Sequence, residues 1–385
     1  MSQPPPPGPW GAQPPQQPGN WPAYPGGQQG PGPQGQWNPQ QQWPNPTPAP
    51  QKKGPFKLIL GAVALIAVIA VTVGVTVYYV GGKDADSGNG AAPSSSSKSS
   101  AASANDTGPV SVISEDQSCQ PWNPVNNIVA ETQKDQNWDQ RDPSVAASAW
   151  TPEIRTQYNA VANALRTAAE QTVPLVSLTP HRVMRELYEQ YIVYARIFVD
   201  RAPNYIPADN NALAAATTIG SVITSVCQSI SWGSAATRGP LVPSADPPSQ
   251  TASVGNPSNP ANFMGSADAQ CQAWIDAVDE LTTSPVFTDW LKIDSNIPAS
   301  RWTPQDRAAN DTVKPVLSRA VETYNQLAKA SSNPTARDFG TLAVQYGRAF
   351  VQGMPTYTGA DLNLYLVFLR APGIISAACK AMSAH

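Results

Sequence analysis

Histidine is almost absent from this chain: there are two in 385 residues, His181 and the terminal His385. That scarcity leaves little for the common uses of imidazole, proton transfer and zinc ligation. Cysteine is also sparse, at four, and no two form a Cys-x-x-Cys pair, which argues against a thiolate metal site. No Gly-x-Ser-x-Gly, His-Glu-x-x-His or phosphate-loop segment stands out, and no cofactor is expected. Charge is low at 13%, and from Cys119 onward 19 Lys and Arg stand against 22 Asp and Glu. Without a basic stripe there is no support for nucleic-acid binding.

Residues 1–51 lack charge altogether and hold 17 Pro and 12 Gln. Such a segment has too few aliphatic side chains to offset the entropy of ordering, and is expected to be disordered with polyproline II character. Trp10, Trp21, Trp37 and Trp43 punctuate it. They suit either sticky contacts with a cytoplasmic partner or an unremarkable tail.

Leu58 to Val80 is a run of 23 residues without a charge. At about 1.5 Å per residue it crosses roughly 30 Å of hydrocarbon. Lys52, Lys53 and Lys57 precede it, whereas Asp84 and Asp86 follow. The positive-inside rule puts the N-terminus in the cytoplasm and the remainder outside. The Pro-rich preface speaks for an uncleaved anchor rather than a signal peptide. The expected layout is therefore a tail over 1–57, one transmembrane helix over 58–80 and a Ser/Ala/Gly-rich stalk over 81–117. A first repeat then occupies 118–230, a Pro-rich linker 231–266 and a second repeat 267–385.

The repeat is visible at a constant offset of 152 residues, the spacing of Cys119 from Cys271 and of Cys227 from Cys379. Cys119-Gln120-x-Trp122 falls on Cys271-Gln272-x-Trp274, and Trp150-Thr151-Pro152 on Trp302-Thr303-Pro304. Tyr194-x-Arg196-x-Phe198 likewise falls on Tyr346-x-Arg348-x-Phe350, Tyr205 on Tyr357, and Asp209 on Asp361. Long Ala-, Leu- and Val-rich segments between Pro and Gly clusters read as four helices per repeat. The first runs from about Pro121 to Lys134; the second opens on Thr151, or Thr303, as N-cap with proline next. The third starts at Thr179-Pro180 and Asn333-Pro334, and the fourth near Asp209 and Asp361. The fold class is thus an all-α ectodomain of two tandem homologous four-helix bundles after a single span. Four cysteines allow three pairings. An up-down-up-down bundle brings its first and last helix ends together, which favours Cys119–Cys227 and Cys271–Cys379.

Residues shared by both copies are the candidate site. Asp209 and Asp361 are expected to cap the fourth helix, with Arg196 and Arg348 bridging to them across the turn. The sharper alternative is that these arginines, with Tyr205 and Tyr357, line a pocket for an anionic or sugar-like ligand. Trp150 and Arg155 have the spacing of a hydrophobic staple with a cation over an indole. The fourth helix differs: it is Ala-rich in one copy, but Leu362 to Leu369 in the other is nearly all apolar. That stretch is either buried on almost every side or lines a groove for a partner or lipid.

In its Pro/Gln/Gly-rich tail with scattered Trp, Lys-Lys before one span, and Ser/Ala stalk, the chain resembles proline-rich single-pass envelope proteins of mycobacteria and related actinobacteria. The resemblance implies a cell-envelope location and carries over no active-site residue. The reading is a non-enzymatic binding or scaffold module outside the membrane, engaging an envelope protein or lipid. Alternatives are a carrier or sensor of an apolar or glycolipid ligand, and an envelope hydrolase built on His181.

Overall fold

A computed structural model describes residues 101–265 and 268–383. The expected tail, transmembrane helix and first part of the stalk lie outside those residues. Among the described residues every regular element is helical. The first repeat holds α1 (Cys119–Asp135), α2 (Pro152–Leu178), α3 (Arg182–Arg201) and α4 (Asn210–Ser231). A short α5 (Ser234–Arg238) follows; then come α6 (Cys271–Thr282), α7 (Pro285–Trp290), α8 (Pro304–Ala330), α9 (Pro334–Gly353) and α10 (Leu362–Met382).

Helix starts follow the capping chemistry. The Thr151 hydroxyl accepts from Ile154 N–H at 3.4 Å, with Pro152 opening α2. Thr303 makes the reciprocal box: its hydroxyl accepts from Asp306 N–H at 3.2 Å, and Asp306 accepts from Thr303 N–H at 2.9 Å. Asn333 caps α9 by accepting from Ala336 N–H at 3.1 Å. The third helix of the first repeat differs from expectation and starts at Arg182. Thr179 is not its cap; its hydroxyl accepts from His181 N–H and donates to Asp116, at 3.2 and 2.5 Å. The first helix of the second repeat is also split. Pro285, which lacks an N–H, ends that path and opens the separate α7.

Two disulfides join Cys119 to Cys227 and Cys271 to Cys379, with Cα atoms 5.2 and 5.5 Å apart. One hydrophobic core runs through both repeats. The most extensive single helix contact is between α4 and α10, and α9 and α6 of its own repeat complete the cover of the apolar stretch of α10. These two helices are long and apolar enough to cross a bilayer, yet 78% and 83% of their most apolar windows are buried. Burial of that extent is what a core helix requires.

Two expected spacers are folded. Of the stalk, residues 101–117 form a strap against the helices: Val110 and Ile113 are buried, and Ile113 N–H donates to Tyr346 Oη at 3.2 Å. Burying those two side chains removes apolar area from water, which a free stalk would forgo. The linker over 231–265 carries α5 and then runs along α3 and α9. Gln190 donates to the Ala261 carbonyl and accepts from Phe263 N–H, and Asn333 donates to the Phe263 carbonyl at 2.7 Å. The Phe263 ring meets Tyr194 and Phe339 edge-on, at 6.2 and 5.5 Å between centroids. Proline-rich composition here marks absence of regular structure, not freedom from the core.

Candidate functional site

Arg196, Tyr205 and Asp209 come close in sequence at the end of α3, but each has its own partner. Arg196 donates to the Ser258 carbonyl of the linker at 2.7 Å. Tyr205 Oη donates to the Pro143 carbonyl at 2.7 Å, and its own carbonyl accepts from Ala147 N–H at 2.8 Å. The second copy repeats this clamp: Tyr357 Oη donates to the Ser295 carbonyl at 2.6 Å, and Ala299 N–H donates to the Tyr357 carbonyl at 2.9 Å. Burial pushes both phenols up, so they stay neutral donors. Tyr205 and Tyr357 therefore hold the loop before the second helix against the end of the third.

The expected Arg196–Asp209 and Arg348–Asp361 bridges do not form. Asp209 accepts from Ile206 N–H at 2.9 Å, fastening the turn ahead of α4, and faces Arg201 at 3.4 Å. Arg196 and Arg201 are five residues apart, about 140° around a helix, so only one of them reaches the turn. Asp361 accepts from Thr358 N–H at 2.8 Å and takes a two-pronged contact from Arg238 of α5, at 2.9 and 3.0 Å. Neither carboxylate caps the helix it precedes; each ties down the turn before it. Trp150 and Arg155 do form the expected staple, with the guanidinium carbon 5.7 Å from the ring centre.

A buried polar cluster between α3 and α9 was not anticipated. Arg182 Nε donates to Asp338 Oδ2 at 2.6 Å, joining the two repeats, and both side chains are buried. Burial opposes the charge on Arg182, but Asp338 outweighs it and raises the guanidinium pKa. One turn on, the Glu186 carboxyl has no hydrogen bond, and its nearest cation is Arg185 Nη2 at 3.7 Å. Burial, reinforced by the negative charge of Asp338, drives the Glu186 pKa well above the usual carboxylate range. Glu189 is raised by burial as well, though Arg185 at 3.3 Å partly opposes this. The sequence did carry a signal: Arg182, Arg185, Glu186 and Glu189 fall at spacings of three and four between apolar residues, on the face that packs inward.

His181 is committed to the strap, its Nε2 lying 2.9 Å from the Glu115 carbonyl oxygen. A carbonyl can only accept, so that nitrogen is the protonated one and cannot take a proton from a nucleophile. Among the described residues no group of three His, Cys, Asp or Glu is placed to hold a metal ion. A cleft of about 290 Å³ lies between the linker segment 244–249 and helices α8 and α9. Arg348, Arg337, Lys329, Asp338 and Gln345 reach its wall.

The model of the family described as Mycobacterial ESX-1 associated protein matches residues 101–384. An uncharacterized protein of Mycolicibacterium smegmatis (strain MKD8) is 42% identical over 347 residues, covering 89% of this chain and 91% of that protein. No solved structure matches. This chain belongs to the Mycobacterial ESX-1 associated protein family.

Proposed function

We propose, starting from that membership, that the chain is a non-catalytic envelope component whose duplicated helical domain binds or scaffolds other proteins of a secretion-system assembly. The observation that carries this is the family match, which spans nearly all of the folded region. A second support is that the residues shared by the two repeats have folding roles: disulfides, helix caps, turn locks and loop clamps. The family's description ties it to ESX-1 and points to no enzymatic chemistry.

In this proposal residues 58–80 are the single membrane anchor, with 1–57 cytoplasmic and the two homologous bundles outside. The uncharged run and the lysines ahead of it support that orientation. The two disulfides suit an oxidising exterior. The carrier reading is disfavoured, because the apolar side chains of α10 are buried against α4, α6 and α9.

Affinity capture of the full-length chain from gently solubilised mycobacterial membranes, read by quantitative mass spectrometry, tests the reading. Reproducible enrichment of secretion-apparatus subunits over a tagged unrelated single-span protein is expected. Enrichment of none of them would contradict it.

A further inference from the structure

Arg196 and Arg348 occupy the same position in the two repeats but end differently. Arg196 is satisfied by the linker, donating to the Ser258 carbonyl at 2.7 Å. Arg348 is half-buried and, among the described residues, has neither a hydrogen-bond acceptor nor an ion-pair partner. The linker is again nearby, but its Ser244–Ser249 stretch stands off and leaves the cleft of about 290 Å³.

Three further features give that cleft a chemistry. The Gln345 side chain lines it, is 1% exposed, and its Nε2 has no acceptor. A buried amide donor without a partner is unfavourable unless something completes it. Arg337 is fixed at the rim by donating to Ser249 Oγ and the Ser331 carbonyl, at 3.2 and 2.6 Å. Its charge is present while its orientation is set. Finally, the charges in the lining sum to a single excess positive charge: Lys329, Arg337 and Arg348 against Asp246 and Asp338. Of these, Asp338 is paired with Arg182, and Asp246 lies 3.4 Å from Lys329.

We propose that this cleft is a binding site for a carboxylate carried on a short peptide segment, with Arg348 supplying the two-pronged donor. A planar guanidinium matches the two oxygens of a carboxylate. With Asp246 and Asp338 each already held by a cation, one planar fork is left open, which matches a planar carboxylate better than a tetrahedral phosphate. Val110, Val344, Pro247 and Pro248 provide apolar wall for the atoms that carry the carboxylate. Gln345 donates as the second polar anchor. The first repeat has no such site because its linker carbonyl already fills the place of the ligand oxygen.

The inference rests on reading the domain as a binding module. Its test is titration calorimetry of the full-length chain in detergent with N-acetyl-alanyl-alanine, its C-terminal amide, and inorganic phosphate. Saturable binding of the free acid is expected, with the amide and phosphate weaker by at least about tenfold, the loss expected for a charge-assisted contact. Arg348→Gln is expected to weaken the acid by a similar factor, and Arg348→Lys, which keeps the charge and loses the fork, by less. Arg196→Gln is expected to leave the affinity unchanged. Equal binding of acid and amide, tighter binding of phosphate, no binding of the acid, or affinity indifferent to both Arg348 variants would each overturn the site. If secretion-apparatus subunits are still captured in such a case, the wider reading stands without this site.

Discussion

Arg182 and Asp338 lie in different repeats, and their Nε and Oδ2 atoms are 2.6 Å apart with both side chains buried. Arg182 also donates to the carbonyls of Asp106 and Gly108 in the strap, at 2.6 and 3.2 Å. One guanidinium thus fastens three segments distant in sequence. Removing Asp338 leaves the buried guanidinium only the part-exposed Asp106 carboxylate, 3.6 Å away, and breaking a buried pair typically costs about 3–5 kcal/mol. Asp338→Ala is expected to lower unfolding free energy by that order in urea titration. The double change Arg182→Met with Asp338→Leu is expected to recover much of the loss, because the desolvation cost goes with the pair.

The two disulfides close loops of equal length, each bond spanning a sequence separation of 108. By the chain-entropy estimate a loop of that size contributes up to about 4.7 kcal/mol. Cys119→Ser/Cys227→Ser and Cys271→Ser/Cys379→Ser are expected to destabilise by about 2–5 kcal/mol each. Peptide mapping without reductant is expected to recover the two intra-repeat pairs, and a Cys119–Cys271 peptide would contradict them.

Two glycines of α9 are there for space. A Cβ on Gly347 would stand 2.6 Å from Phe368 and 2.7 Å from Val321, and one on Gly340 would stand 2.7 Å from Trp274 and 2.9 Å from Ala328. Gly347→Ala and Gly340→Ala are each expected to cost about 1–3 kcal/mol by overpacking, despite the gain in helix propensity. Gly255→Ala, with nothing within 4 Å of the added atom, is the tolerated control in the same thermal melts.

The Glu186 carboxyl gives stability a pH dependence of definite sign. Its pKa is raised in the fold by burial, then by Asp338. Between the unfolded value, about 4.3, and that raised value the folded chain binds more protons. This contribution is therefore fully present at low pH and is lost as pH rises through the folded pKa, at up to about 1.4 kcal/mol per pH unit. Glu186→Gln removes it. Urea midpoints from pH 5 to 8 are expected to show the variant more stable at the alkaline end, with the advantage shrinking as pH falls; a constant difference would count against the assignment.

What was legible in the sequence was local. Trp-Thr-Pro announces a helix start because a hydroxyl cap and a proline at the first helical position are chemistry confined to a few residues. Asn333-Pro334 says the same. The cysteine pairing was readable because bundle topology brings helix ends together. Arg201 and Arg238 displaced Arg196 and Arg348 as partners of Asp209 and Asp361 for a reason no pairwise spacing contains: Arg238 arrives from the linker, 123 residues before Asp361. Composition likewise hid the strap and linker, since Ser, Ala and Pro look the same whether a segment is free or laid along a helix. The cleft beside Arg348 is lined by linker residues 244–249, whereas at Arg196 the linker's Ser258 carbonyl accepts from the guanidinium directly.

Joined by Arg182–Asp338 and by the packing of α4 on α10, with the linker fastened to the second repeat by Arg238–Asp361, the two repeats form one body rather than two tethered domains. Differential scanning calorimetry of the full-length chain under non-reducing conditions tests this most directly. A single transition whose calorimetric and van't Hoff enthalpies agree is the expected result. Two resolved transitions, with Asp338→Ala leaving both unmoved, would contradict it.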